Sequence, residues 1–233
     1  MKAMVFAAGL GTRLRPLTDD RPKALVEVAG RTLLEITLSR LRTFGVREVI
    51  VNVHHFADMI VEYLKANDNF GMRIEVSREE VLLDTGGGLK KASYFFLNVD
   101  VISTIDLRRM VEFHSENQAL ATVAVKDRKT TRYLLFDEQL QLCGRQLDEK
   151  AELVRSSQKT QALAFSGIHV VSPRLFGMMN EEGVFPIVST YLRLAALGEK
   201  IIAFRSDKYY WRDLGRPENV AQATQDLKEK VVL

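Results

Sequence analysis

Cysteine is almost missing from this chain: Cys143 is the only one among 233 residues. A lone thiol excludes an internal disulfide. The four histidines stand outside any metal-ligand spacing, so a structural zinc site is not expected and any metal should prefer oxygen donors. Long apolar runs are missing too. The stretch after Met1 stays apolar for only a few residues, so neither a signal peptide nor a membrane span is expected, and the compartment this implies is the cytoplasm. No strong excess of one charge exists either. The net charge is +3 with a pI near 8.9, and basic residues are scattered between acidic ones; no nucleic-acid partner is demanded and a local anion site suffices. There is no internal repeat, low-complexity tract or linker, and nothing in the sequence speaks to oligomeric state.

What is present is a composition of 46% hydrophobic and 27% charged residues, the mix of a chain that folds around a packed core. The length allows one domain, or a large domain with a small appendage. Apolar runs bounded by glycine and polar residues predict strands over 2–7, 48–53, 72–76 and 94–99. Between them, apolar residues at helical spacing predict helices over 32–44 and 57–65, with a glycine-started helix over 87–93. Strands alternating with helices imply crossover connections and a doubly wound, mostly parallel α/β sheet, which binds ligands beyond the carboxyl ends of its strands. After Asp106 comes a helix through His114. Strand-like pieces over 120–125, 133–136 and 141–143 then read as antiparallel. A strand over 162–171, a helix over 186–197, a strand over 200–204 and a closing helix over 217–230, with proline at its first position, complete the chain.

The most informative segment is Ala7-Ala8-Gly9-Leu10-Gly11-Thr12-Arg13-Leu14-Arg15-Pro16-Leu17, followed by Pro22-Lys23. Its glycines let the backbone pass close to a ligand and aim amides at phosphate oxygens, and Arg13, Arg15 and Lys23 add positive charge. No Gly-Lys-Ser/Thr follows, so it is not a Walker A loop, and a third glycine is missing for the dinucleotide fingerprint. The bland alternative is a glycine turn with solvated arginines. The run from Gly9 to Thr18 with Pro22-Lys23-Ala24-Leu25 resembles the signature of the sugar-phosphate nucleotidyltransferases. That resemblance implies a Rossmann-like, GT-A-like sheet with a small antiparallel acceptor-side element, and a nucleoside triphosphate and a sugar 1-phosphate as substrates. It also implies that Arg13 and Lys23 hold the triphosphate, with Ala7, Ala8, Gly9, Gly11 and Thr12 lining the nucleotide.

Asp84-Thr85-Gly86-Gly87-Gly88 is a second glycine cluster, which on its own could be a simple helix start. It resembles the family's base-contacting turn, and so Thr85, Gly86 and Gly87 are expected at the nucleotide. Asp100 follows an apolar strand and Asp213 stands in Trp211-Arg212-Asp213-Leu214-Gly215; either alone is an ordinary turn or cap aspartate. Two carboxylates brought to one sheet edge can hold Mg²⁺ against phosphate oxygens. The family's metal-binding motifs resemble both, which makes Asp100 and Asp213 the expected ligands. The interval from Gly88 to Asp100 is shorter than the family's. Phe165-Ser166-Gly167-Ile168 resembles the strand beside the sugar, so Ser166 and Gly167 are expected at the acceptor; a core strand with a bulge is the alternative.

There is no Glu-Lys-Pro acceptor motif, which counts against glucose 1-phosphate. The charge run over 126–129 reads as a solvated turn, and His54, His55, His114 and His169 receive no catalytic role. Ala7-Ala8, where guanylyl-transferring relatives carry two glycines, favours a pyrimidine nucleotide, UTP first. In its compact length and second glycine turn the chain is similar to the short uridylyltransferases that act on N-acetylmuramic acid 1-phosphate. The resulting expectation is one domain over 1–233, nucleotide-binding over about 1–118 and acceptor- and metal-binding over about 119–233. The competing readings are a cytidylyltransferase acting on phosphocholine or a similar phosphate, and a nucleotide-sugar sensor without chemistry.

Overall fold

The computed structural model describes residues 2–79, 84, 86 and 95–229. Lys2–Phe6 (β1) buries Ala3, Met4 and Val5. A short hairpin of Glu27–Val28 (β2) and Arg31–Thr32 (β3) leads into helix Leu33–Thr43 (α1). Thr32 Oγ1 accepts the Glu35 amide at 3.1 Å, satisfying one of the orphan donors of the first helical turn. Leu34, Leu38 and Leu41 then lie on one face and are fully buried. Glu48–Val53 (β4), Ala57–Ala66 (α2), Arg73–Arg78 (β5), Phe95–Asn98 (β6) and Val101–Ser103 (β7) follow. The later elements are Leu107–Glu116 (α3), Ala121–Lys126 (β8), Arg132–Phe136 (β9), Leu142–Leu147 (β10), Lys150–Leu153 (β11), Gln161–Val171 (β12), Ile187–Ala196 (α4), Ile201–Arg205 (β13), Trp211–Asp213 (β14) and Pro217–Lys228 (α5).

These elements form two compact units, one of residues 2–79, 95–105 and 209–229, the other of 84, 86 and 106–208. In the first, the sheet order is β6-β1-β4-β5 and every pairing is parallel, as the strand–helix alternation implies. Because the strands run the same way, Ala7 beyond β1, His54 beyond β4 and Val99 beyond β6 emerge at one edge. Separately, β7 and β14 form a two-stranded antiparallel ribbon.

In the second unit the order is β11-β10-β9-β12-β8-β13, antiparallel except for the β8–β13 pair. The antiparallel reading of residues 120–143 therefore describes this sheet. The structure adds strands that hydrophobic periodicity does not signal: β11 is exposed at every residue, and β7 is too short to show a period. The helix expected over 87–93 lies outside the described residues.

One expectation is corrected here. The charge run over 126–129 is not a freely solvated turn. Lys126 Nζ donates to the carbonyls of Ser206 and Asp207, each at 3.0 Å, and the Asp127 amide donates to Asp207 Oδ1 at 2.7 Å. Arg128 Nη2 donates to the Phe165 carbonyl at 3.1 Å. The run begins at the end of β8, where the chain after β13 presents carbonyls that need donors, and the charged side chains supply them.

Candidate active site

β1 delivers the first glycine loop. Ala7 and Ala8 remain buried, and the Ala7 amide donates to the Asn52 carbonyl of β4 at 2.9 Å. From Gly9 onward the chain turns outward, leaving Gly9, Leu10, Thr12 and Arg13 exposed. Gly11 has φ +67°, and a Cβ there would stand 3.0 Å from Thr18 Cγ2 and 3.3 Å from Lys23 Cβ. Both the left-handed backbone and the close approach require glycine. The Gly11 carbonyl accepts from the Leu14 amide and from Thr18 Oγ1, both at 2.8 Å. The loop is thereby tied to the segment that carries Lys23.

Lys23 opens a single 3-10 turn, Lys23–Leu25, whose next two side chains are buried. Its ammonium forms an ion pair and hydrogen bond with Asp100 Oδ2, and the two side chains are only 12% and 16% exposed. So enclosed a charge needs its partner, since either one left alone would face a large desolvation cost. Asp100 lies between β6 and β7, and its carbonyl accepts the Leu214 amide at 2.8 Å. The next residue, Val101, is the register partner of Asp213. The ribbon thus sets Asp213 on the strand that pairs with β7, immediately beside the turn that carries Asp100.

Asp213 Oδ1 accepts the Gly215 amide at 2.8 Å. A Cβ on Gly215 would stand 2.8 Å from that same oxygen and 3.0 Å from Arg13 Nη2, so the Arg13 guanidinium lies over this turn. Arg13, Lys23, Asp100 and Asp213 are therefore brought into one neighbourhood within the first unit, beside the loop of Ala7, Ala8, Gly9, Gly11 and Thr12. Their formal charges cancel. A triphosphate brought there would add several negative charges beyond what these four side chains balance.

Sequence reasoning missed a buried polar pair at the same sheet edge. Asn52 Nδ2 donates to Glu79 Oε1 at 2.7 Å, with the two residues 2% and 7% exposed, and the Glu79 amide donates to the Val53 carbonyl at 2.9 Å. The signal was available in β4, where one asparagine interrupts the run Val-Ile-Val-Asn-Val. In the sequence Gly215 figures only as part of the motif around Asp213; that Arg13, far away in sequence, also crowds it is shown by the structure.

The remaining expected residues lie in the second unit or outside the described residues. Thr85 and Gly87 are outside. Gly86 is buried, its amide donates to the Phe185 carbonyl at 3.0 Å, and the Phe185 ring fills the space a side chain would need. Ser166 and Gly167 occupy a register shift in β12 between Phe165 and His169, with Gly167 at φ +73° and Ser166 wholly buried. Behind this bulge His169 Nδ1 lies 2.5 Å from the Tyr191 hydroxyl. Burial pushes the imidazole down to about 3 and the phenol well above its usual range, so both are neutral at physiological pH.

The donor chemistry of the first unit fits a hard divalent cation. Asp100 and Asp213 offer only oxygen, and no group of three or more His, Cys, Asp or Glu gathers among the described residues. Mg²⁺ is commonly held by one or two carboxylates together with substrate phosphates, whereas zinc would need more protein ligands. No helix among the described residues is long and apolar enough to cross a membrane.

Residues 2–230 match the family described as Nucleotidyl transferase. The chain is 34% identical over 241 residues to N-acetylmuramate alpha-1-phosphate uridylyltransferase of Caulobacter vibrioides, covering 97% of each. It is 29% identical to mannose-1-phosphate guanyltransferase of Yarrowia lipolytica over 96% of its own length, but spans only 63% of that protein. A solved UDP-glucose pyrophosphorylase complexed with UDP-glucose shares the fold, with a TM-score of 0.80 at 18% identity and 98% coverage of both chains. A match across nearly the whole length, together with a cationic glycine loop set beside two aspartates on a Rossmann-like α/β frame, makes this chain an enzyme of the nucleotidyl transferase family.

Proposed function

We propose that the enzyme transfers UMP from UTP to a sugar 1-phosphate, releasing pyrophosphate and forming a nucleotide sugar, with N-acetylmuramate 1-phosphate the first acceptor to test. The observation that carries this reading is the convergence of Arg13, Lys23, Asp100 and Asp213 beside the glycine loop. A sugar 1-phosphate is already anionic at neutral pH, so its oxygen attacks the α-phosphorus without a general base. One P–O bond forms to that oxygen while the bond from the α-phosphorus to the bridging oxygen breaks, and pyrophosphate leaves with the electron pair. The chain's work is positional and electrostatic. Loop amides and the Arg13 and Lys23 side chains hold phosphate oxygens and meet the charge that develops on the leaving group. Asp100 and Asp213 would hold Mg²⁺, which when bound supplies the positive charge that the four balanced side chains lack. The nucleobase role of Thr85, Gly86 and Gly87 and the acceptor role of Ser166 and Gly167 rest on the resemblance of their motifs.

UTP is favoured by Ala7-Ala8 and by similarity to the Caulobacter uridylyltransferase across 97% of both chains. Similarity to guanyltransferases keeps GTP as the second reading. Pyrophosphate release from each of four triphosphates, with a panel of sugar 1-phosphates and phosphocholine, with and without Mg²⁺, tests both. UTP with an amino-sugar 1-phosphate should be fastest and should need the metal. Faster turnover of GTP with mannose 1-phosphate would replace the donor assignment, and release of pyrophosphate from no pair would sink the reading. Asp100→Ala and Asp213→Ala should each lose most turnover while keeping the wild-type circular dichroism spectrum.

A further inference from the structure

Helix α5 buries a carboxylate near its end. Asp226 is 8% exposed, and its Oδ2 accepts from the Tyr210 hydroxyl at 2.6 Å, Arg212 Nε at 3.0 Å and Arg212 Nη2 at 2.8 Å. Its Oδ1 accepts from Gln222 Nε2, one helical turn earlier, at 3.0 Å. The Tyr210 and Gln222 hydrogen bonds, with Arg212 alongside, hold this carboxyl below the usual carboxylate range, so it is charged wherever the protein is handled. Arg212 Nε also donates to the Tyr210 hydroxyl at 3.0 Å, closing a small network. An enclosed ion pair is weak evidence for stability, because apolar side chains of similar size would serve as well. Its position says more.

Arg212 and Asp213 are neighbours on β14, and successive side chains of a strand leave opposite faces. Fixing one therefore fixes the roll of the strand and the direction of the other. β14 has three residues and, among the described residues, pairs only with β7, so its ladder is too short to set that roll alone. Upstream the strand is locked, with the Tyr210 amide donating to Thr104 Oγ1 and the Thr104 amide to the Tyr210 carbonyl, each at 3.0 Å. Downstream the chain turns at Gly215 and enters α5, which brings Asp226 back onto Arg212. The helix closes a clasp on the strand that precedes it, and Asp213 sits inside the clasp.

We propose that Asp226 is a positioning residue for the metal-holding Asp213, acting through Arg212 and Tyr210. This rests on the reading of Asp213 given above. The test is Mn²⁺ binding to the whole 233-residue chain, followed by electron paramagnetic resonance without turnover, for wild type, Asp213→Ala, Asp226→Ala, Asp226→Asn and Tyr210→Phe, with thermal melts alongside. Asp226→Ala should weaken Mn²⁺ binding about tenfold. Asp226→Asn, which keeps an acceptor oxygen, should fall between it and wild type, and Tyr210→Phe, which removes a single donor, should weaken binding by a smaller factor. Activity should follow through kcat and the metal requirement, with KM for the sugar phosphate unchanged. If Asp213→Ala loses Mn²⁺ while Asp226→Ala binds it as wild type does and only melts earlier, the clasp is merely structural and the proposal is overturned. Should Asp226→Ala not fold, wild-type affinity in both Asp226→Asn and Tyr210→Phe would overturn it equally. A wild type that binds no Mn²⁺, or an Asp213→Ala variant that binds it normally, would instead bring down the metal reading and this proposal with it.

Discussion

At Gly215 the position a Cβ would take is 2.8 Å from Asp213 Oδ1 and 3.0 Å from Arg13 Nη2. Its backbone is not in the left-handed region, so alanine there meets side chains rather than strain. Arg13 is exposed and can move aside, but Asp213 Oδ1 is held by the Gly215 amide itself. Gly215→Ala should therefore displace the guanidinium and disturb the carboxylate, lowering kcat by roughly 10- to 100-fold, since small misplacements of reacting groups carry costs of that order. The melting temperature should stay within a few degrees of wild type. Steady-state kinetics beside a thermal melt would check this, and unchanged kcat would remove Arg13 and Asp213 from the chemistry. Arg13, Lys23, Asp100 and Asp213 could each be singled out from the sequence because each sits in a recognisable local motif. Asn52 could not, because its importance comes from Glu79, and the approach of Arg13 to Gly215 was equally hidden.

Among the elements, those with strong local signals were legible to within a residue or two. The helix expected over 32–44 is Leu33–Thr43, and the closing helix expected over 217–230 is Pro217–Lys228, both with a cap or proline marking the start. Helix α3 behaves alike: Asp106 Oδ1 accepts the Arg109 amide at 3.0 Å, while the helix buries Leu107 and Met110. Asp106→Ala leaves that amide without its acceptor and should cost about 1 kcal/mol in urea unfolding. Arg109→Ala, which removes only exposed pairs with Glu112 and Glu116, should cost clearly less than Asp106→Ala. Equal costs would mean that the cap does not limit this helix. The ribbon of β7 and β14 carried no comparable signal, since three residues cannot show a period of two.

Across the whole molecule, stability should depend on pH through His169. The imidazole is wholly buried and its pKa falls from 6.5 to about 3, with burial the cause. Below pH 6.5 the unfolded chain takes up a proton that the folded one refuses, so this contribution is complete above about 6.5 and drains away as pH falls toward 3. Between pH 7 and pH 5 the loss should be about 2 kcal/mol. His114, lowered for the same reason, adds to it in the same direction. Urea unfolding at the two pH values should show the difference, and His169→Gln should shrink it; an undiminished difference in that variant would place the titrating group elsewhere.

The amino-acid order alone determined the cationic glycine loop, the alternation that makes a parallel sheet with its ligand edge at the strands' carboxyl ends, and the residue types available for an oxygen-donor metal site. These are local properties, written in spacing, polarity and backbone freedom. Tertiary structure alone decided that Lys23 meets Asp100, that β14 lies on β7 so that Asp213 arrives beside it, that Arg128 reaches Phe165, and that Asp226 closes on Arg212. Each is a pairing between residues separated along the chain. One sequence states which side chains are available but not which will meet, because that choice is made when the whole core packs and every buried polar group must find its partner at once.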